Sequence, residues 1–270
     1  MTGQRCAPRH IRRHLGGFKL ATNVRARWAP QIERDYFLAF LALGVAGVVL
    51  GFVPPSWARF NGLADYPAPI TLQIHAGLFL GWVVLLAAQI VFIRQGNPEM
   101  HKRLGLIGAA MIPAMAISSV FAETYSDRFA AIHQPGGQRF LIVPIFSLGL
   151  FLAFTTAGLL LRRRSAIHKR LMFLGTTLLF GAAWSRVTEP LLMPIVGNHG
   201  MGFFIHRFIM TNAFLIMLAM FDWRTKGRLL PVSVLGISVT VGAEIAVTAL
   251  FHTAWWLGVA DAILVYFPGP

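Results

Sequence analysis

Residues 70–93, ITLQIHAGLFLGWVVLLAAQIVFI, run for 24 positions without a lysine, arginine, aspartate or glutamate, and Arg94 closes them. A helix needs about 20 predominantly apolar residues to cross the hydrocarbon of a bilayer. A soluble helix of the same length would carry a polar face. The stretch therefore reads as a membrane-spanning α-helix. Working outward, further apolar runs stand at Tyr36–Val53, Leu104–Ala122, Phe140–Leu161, Leu171–Val187, Phe203–Phe221 and Leu230–Phe251. The fifth of the seven is short, but apolar residues resume after Pro190, so it is expected to continue with a kink. The expected fold is an all-α membrane protein, a seven-helix transmembrane bundle.

Composition agrees. The chain has 270 residues, 56% hydrophobic and 13% charged, whereas a soluble domain carries about a quarter charged residues. The formal net charge of +14 would suggest nucleic acid in a soluble protein, but no recognition module is visible. Lys and Arg sit instead between the apolar runs, where anionic lipid headgroups supply the counter-charge. Cys6 can form no internal disulfide and no Cys-based metal site. Residues 1–35 are polar and basic with no apolar core, so they do not form a cleavable signal peptide. They read as a cytoplasmic tail, with an organelle transit peptide as the minor alternative.

Charge sets the direction. With the N-terminus inside, the cytoplasmic segments hold the tail's basic residues, Arg94, Lys102 and Arg103, then Arg162, Arg163, Arg164, Lys169 and Arg170, then Arg224, Lys226 and Arg228. Only Arg59, Arg128, Arg139, Arg186 and Arg207 fall outside, of 24 in all. Such asymmetry is the positive-inside signature. It places residues 36–252 in a seven-span bundle and residues 253–270 at the outer interface, where Trp255 and Trp256 are expected to act as anchors. The implied location is the cell inner membrane.

Two stretches echo each other. G-L-F-L at Gly77–Leu80 is followed by H-K-R-L at His101–Leu104, and G-L-F-L at Gly149–Leu152 by H-K-R-L at His168–Leu171. Beyond each tetrad, Gly108 matches Gly175, Ala116 matches Ala183, Ser118 matches Ser185 and Val120 matches Val187. The unit is a helix hairpin, about 70–122 and again about 140–187, in the same orientation both times. It is a parallel repeat, not the inverted kind common in transporters. Each tetrad opens an outward-going helix at the headgroup layer, where Lys and Arg can snorkel to phosphates. The plain reading is a topology anchor. The functional one is an anionic lipid or phosphate site built by His101, Lys102, Arg103, His168, Lys169 and Arg170.

The order His75, Trp82, Gln89, then H-K-R-L-G from His101 and H-K-R-L-M from His168, resembles a family of uncharacterised bacterial integral membrane proteins. In these an H…W…Q…H-[KR]-R-L-G hairpin precedes H-K-R-L-M. The resemblance covers roughly residues 70–190. It implies a bacterial membrane protein and brings no activity, cofactor or catalytic residue.

Ionisable groups inside a bilayer are costly and are the default functional candidates. His75, Trp82 and Gln89, seven apart, share one helix face. His75, His206 and His252 fall near the outer level, with Glu123, Arg186 and Glu189 at the outer ends of neighbouring spans, His133 and His199 in outer loops, and Glu244 about two turns deeper. Three readings compete. The group is structural, with Arg186 and Glu189 paired within one turn. Alternatively it ligates, with His75 and His206 holding one b-type haem or a transition metal beside a carboxylate. Alternatively Glu244 moves protons or binds a cation, since an isolated carboxylate at that depth either takes a proton or finds a partner such as Arg207 or Arg186. No span carries the two histidines of a di-haem bundle, and no H-x-x-x-H cluster of a membrane di-iron enzyme is present. Phosphate-loop, zinc-helix and nucleophile-elbow motifs are absent as well, which favours a binding protein over an enzyme. The leading expectation is a small ligand or metal ion in an outward-facing pocket of His75, His206, His252, Glu189, Glu123 and Glu244. A single-haem electron carrier and a proton-coupled carrier are the alternatives.

Overall fold

In the computed structural model, residues 16–64, 68–133 and 137–267 are described, with side chains from Gln31 onward. Cys6, His10 and His14 lie outside them. The described residues form eight helices and no strand: α1 Gly16–Phe60, α2 Ile70–Arg94, α3 Pro98–His133, α4 Ile142–Leu160, α5 Ser165–Val196, α6 Met201–Lys226, α7 Pro231–Phe251 and α8 Ala254–Leu264. Six of these regions are long and apolar enough to cross a membrane: Gln31–Phe60 of α1, and α2, α3, α4, α6 and α7. Large apolar side chains such as Leu80, Val84, Leu106, Ile117, Ile216 and Ile245 stand more than half exposed on the bundle surface. Hydrocarbon is the solvent that tolerates such a surface.

Short turns make neighbours antiparallel. Gly96, at φ 71°, lets the chain reverse between α2 and α3, and the Asn97 side chain accepts the Met100 N–H at 3.1 Å to cap α3. Gly227 ends α6 in the left-handed conformation, and Pro231 opens α7 where its missing N–H is not needed. The helices run back and forth between two ends: a tetrad end, carrying His101 and His168, and a far end, carrying α8.

α5 is central. It packs against α1, α4, α6 and α7, and buries residues on every side, from Arg170 and Phe173 to Phe180 and Ser185. Small residues let it get close. Gly44, Gly47 and Gly51 of α1 present bare backbone to Phe180, Trp184 and Ala183, Gly181 faces Thr211 of α6, and Gly236 of α7 faces Leu174. The Trp184 indole N–H donates to the Leu43 carbonyl at 3.0 Å. The two glycines matched in the sequence repeat do matching work. Gly108 faces Leu85 of α2 and Gly175 faces Thr155 and Phe151 of α4, so each sits against the other helix of its own hairpin.

Several expected boundaries move. α1 is helical from Gly16 and does not stop at Val53. α3 runs on past Ala122 to His133 because its polar end is tied down. Both Asp127 carboxylate oxygens accept backbone N–H groups at the start of α4, from Phe140 and Leu141 at 2.9 Å. The Arg128 guanidinium donates to the Leu264 and Phe267 carbonyls at 2.7 and 2.6 Å, where a cation suits the end of α8. α5 does continue through Pro190 and Pro194. Trp256, expected as an interfacial anchor, is 5% exposed and donates its indole N–H to the Arg139 carbonyl at 2.9 Å. Trp255 beside it is 63% exposed.

Candidate functional site

Five of the six residues expected in one pocket fall into three groups, and the sixth, Glu189, pairs with Arg207. His75 of α2 and Glu123 of α3 form the first. A His75 ring nitrogen lies 3.5 Å from the Ser118 hydroxyl, the ring packs on Phe79, and Arg186 of α5 acts electrostatically on both His75 and Glu123. Arg186 does not pair with Glu189 as expected. Its guanidinium lies over the Phe52 ring of α1, 4.7 Å from the centroid. Glu189 is taken instead by Arg207 of α6 at 2.6 Å, because the next helix reaches it more directly than its own.

His206 and His252 form the second group, at the junction of α5, α6 and α7. His206 is fully buried; its Nε2 bonds the Asn198 side-chain oxygen at 3.1 Å, while its Nδ1 has no partner. The His252 ring stacks near that of His199, with centroids 4.2 Å apart, and its Nε2 is also buried without a partner. Phe203 sits between them, 5.5 Å from each ring. Burial first, and then neighbouring His199, hold the His252 imidazole below its ordinary range. Arg207 borders the group, over the Phe140 ring at 4.6 Å and near Phe203 at 5.7 Å.

Glu244 stands alone on α7. It is 5% exposed, and it pairs with neither Arg207 nor Arg186 as sequence allowed; Asn212 of α6 donates to its Oε2 at 2.7 Å. His75 and His206 thus have separate sets of neighbours. Among the described residues no three His, Cys, Asp or Glu side chains come together to hold a metal ion. An open hollow of about 280 Å³ between α3 and α8 is lined by Arg128, Ala131, Ile132, Asp261, Leu264 and Val265; none of the expected site residues line it.

At the tetrad end the two repeats do meet. The His101 and His168 rings lie edge to face, 6.3 Å apart, with His168 Nδ1 bonded to the Gly158 carbonyl at 2.8 Å. The cations around them are engaged unequally. Arg103 is exposed, Lys102 pairs with exposed Glu99 at 2.9 Å, and Lys169 pairs with Glu33 at 2.6 Å. Arg170 does not snorkel. It is wholly buried, its Nε donating to Asp222 at 2.7 Å and its NH1 to the Ala166 carbonyl at 2.7 Å, beside the Phe221 ring at 5.2 Å. Sequence reasoning missed Asp222, Asn212 and Asn198. A carboxylate directly after the apolar run, ahead of a basic turn, is the available signal for Asp222.

No protein-family model, curated protein or solved structure matches the chain.

Proposed function

We propose that the chain is a seven-span membrane protein with a cytoplasmic N-terminus, and that His206 and His252, beside His199 and Asn198, bind from the outer side a small ligand, or a metal ion that completes its coordination with water. Support for the seventh span comes from α5, which runs between the same two ends as its neighbours. Its Arg170, Thr176, Thr177 and Ser185 are buried in the protein, so it need not be as apolar as they are. Support for the orientation is the crowding of basic residues at the tetrad end. Membership of the bacterial family with paired H-K-R-L hairpins, and an inner-membrane location, belong to the same proposal.

One observation carries the binding reading: His206 Nδ1 and His252 Nε2 are both buried and both unpartnered, on rings that share Phe203 as a neighbour. A buried polar atom without a partner costs ~1–3 kcal/mol, which a ligand accepting or donating at both rings would recover. Native mass spectrometry and elemental analysis of the protein purified in mild detergent test this. The expected result is a bound small molecule or metal that His206→Ala and His252→Ala each lose while remaining folded. Retention unchanged in both variants, or nothing bound to the wild type after incubation with cell extract or divalent metals, overturns it.

A further inference from the structure

We propose that Glu244 and Asn212 form a proton-binding site in the bilayer interior, independent of the histidine group. At 1.5 Å per residue, Glu244 stands ~20 Å into α7 from Pro231 and ~10 Å short of Phe251, well inside hydrocarbon about 30 Å thick. Its side chain is 5% exposed. Asn212 Nδ2 donates to Oε2 at 2.7 Å and to the Phe208 carbonyl at 3.0 Å, so the amide is fixed with one N–H on the acid and the other on the backbone. Oε1 is buried and has no partner. Thr248, one turn on, spends its hydroxyl on the Glu244 backbone carbonyl and leaves the carboxyl alone.

A carboxylate with one neutral donor and a bare oxygen is an arrangement that water-free surroundings penalise heavily. Two occupants would relieve it. A hard metal cation requires several oxygen ligands, typically six or more, and among the described residues Glu244 belongs to no group of three or more His, Cys, Asp or Glu side chains that could hold one. A proton needs only Oε1. The acid then presents its carbonyl oxygen Oε2 to Asn212 and its hydroxyl at Oε1, and no charge is left in the membrane. The elements packed on α7 bring no ion-pair partner to Glu244 among the described residues: Arg207 and Arg170 are taken by Glu189 and Asp222. Towards the far end, beyond the paired Arg207, lie His252, ~12 Å along α7, and His206, ~9 Å from Asn212 along α6. Towards the tetrad end stand the hydroxyls of Thr240 and Ser233, both buried.

Dicyclohexylcarbodiimide tests the assignment, since it partitions into apolar regions and reacts with carboxylic acids in their protonated form. The acid proton passes to a carbodiimide nitrogen while the carboxylate oxygen bonds the central carbon. Wild-type protein in liposomes at pH 7.5, digested and read by mass spectrometry, is expected to carry the adduct on Glu244 at least about tenfold above that on exposed Glu99. Glu244→Gln is expected to lose it. Labelling of Glu244 no greater than that of Glu99 overturns the proposal. So does labelling that sodium or potassium chloride suppresses, which would make the occupant a cation. The wild-type comparison decides the matter even where the variant fails to fold. It is also unaffected by the His206→Ala and His252→Ala results, so the two proposals fail separately.

Discussion

Replacing Asp222 with alanine removes the anion from the most deeply buried cation among the described residues, Arg170. Both side chains of the Arg170–Asp222 pair have 0% exposure. Asp222 Oδ1 receives the Arg170 Nε–H at 2.7 Å, and Oδ2 receives the Leu230 N–H at 2.9 Å, ahead of α7. The substitution thus strands a guanidinium in the interior and frees a backbone donor. Removing one partner of a buried pair costs ~3–5 kcal/mol. The freed Leu230 N–H, only part-buried, adds less than the ~1–3 kcal/mol of a fully buried orphan, and terms this close do not simply add. The remaining Arg170 contacts, to the Ala166 carbonyl and the Phe221 ring, carry no negative charge. A loss of at least ~3 kcal/mol is expected, measured by titrating detergent-solubilised protein with sodium dodecyl sulfate and following tryptophan fluorescence. The double variant Arg170→Met with Asp222→Leu is expected to recover most of it, because no lone charge remains. A loss below ~1 kcal/mol in Asp222→Ala, far under the buried-pair range, refutes the account. A double variant as unstable as the single one refutes it as well.

Three further outcomes follow from the same geometry. A reporter fused after Pro270 is expected on the outer side and one inserted at Arg163 in the cytoplasm; alkaline phosphatase and green fluorescent protein fusions read this directly, and a cytosolic C-terminus sinks the seven-span topology. Gly51→Ala would set a methyl group against the Ala183 backbone carbonyl, which cannot rotate away, so α1 must move off α5 at a cost of ~1–3 kcal/mol; unchanged thermal stability in detergent would contradict that contact. For His252, the folded protein holds the imidazole below its ordinary 6.5, so the unfolded chain binds the proton more readily. Its contribution to stability is therefore present above about pH 6.5 and lost as pH falls from there through the lower folded value. Melting temperatures measured between pH 7.5 and 5 are expected to drop less in His252→Gln than in wild type, and equal slopes would remove His252 from the account.

The apolar runs were legible because bilayer thickness is a constraint on length and composition that needs no knowledge of neighbours. Where a helix leaves hydrocarbon, that constraint lapses. Glu123, Asp127 and Arg128 end the hydropathy signal of α3, yet the helix continues because Asp127 caps α4 and Arg128 holds α8, ties that local sequence does not encode. The same limit governs the site. Counting residues along a span gives depth, and so His75, His206 and His252 were placed near one level. It does not give azimuth in helices that are apolar nearly all round. His206 and His252 share Phe203, while His75 turns to Ser118. Glu189 reads as a partner of Arg186 by spacing alone, and only the position of α6 hands it to Arg207.

The paired tetrads show how equal sequences acquire unequal duties. Each H-K-R-L opens a helix at the same end, and the two histidines still face one another across 6.3 Å. The helix opened by the first, α3, touches α2, α4 and α8, and Arg103 remains exposed. The helix opened by the second, α5, is enclosed by α1, α4, α6 and α7. Arg170, the counterpart of Arg103, therefore cannot reach the headgroups, and its charge must be met within the protein; Asp222 meets it. Lys169, one residue earlier and at the rim, is met by Glu33 of α1. If the hairpin was duplicated, the copy that became central had to acquire carboxylates on its new neighbours, because a buried cation without one is not tolerated. The peripheral copy faced no such demand, so of the two tetrads only the first still presents its arginine outward.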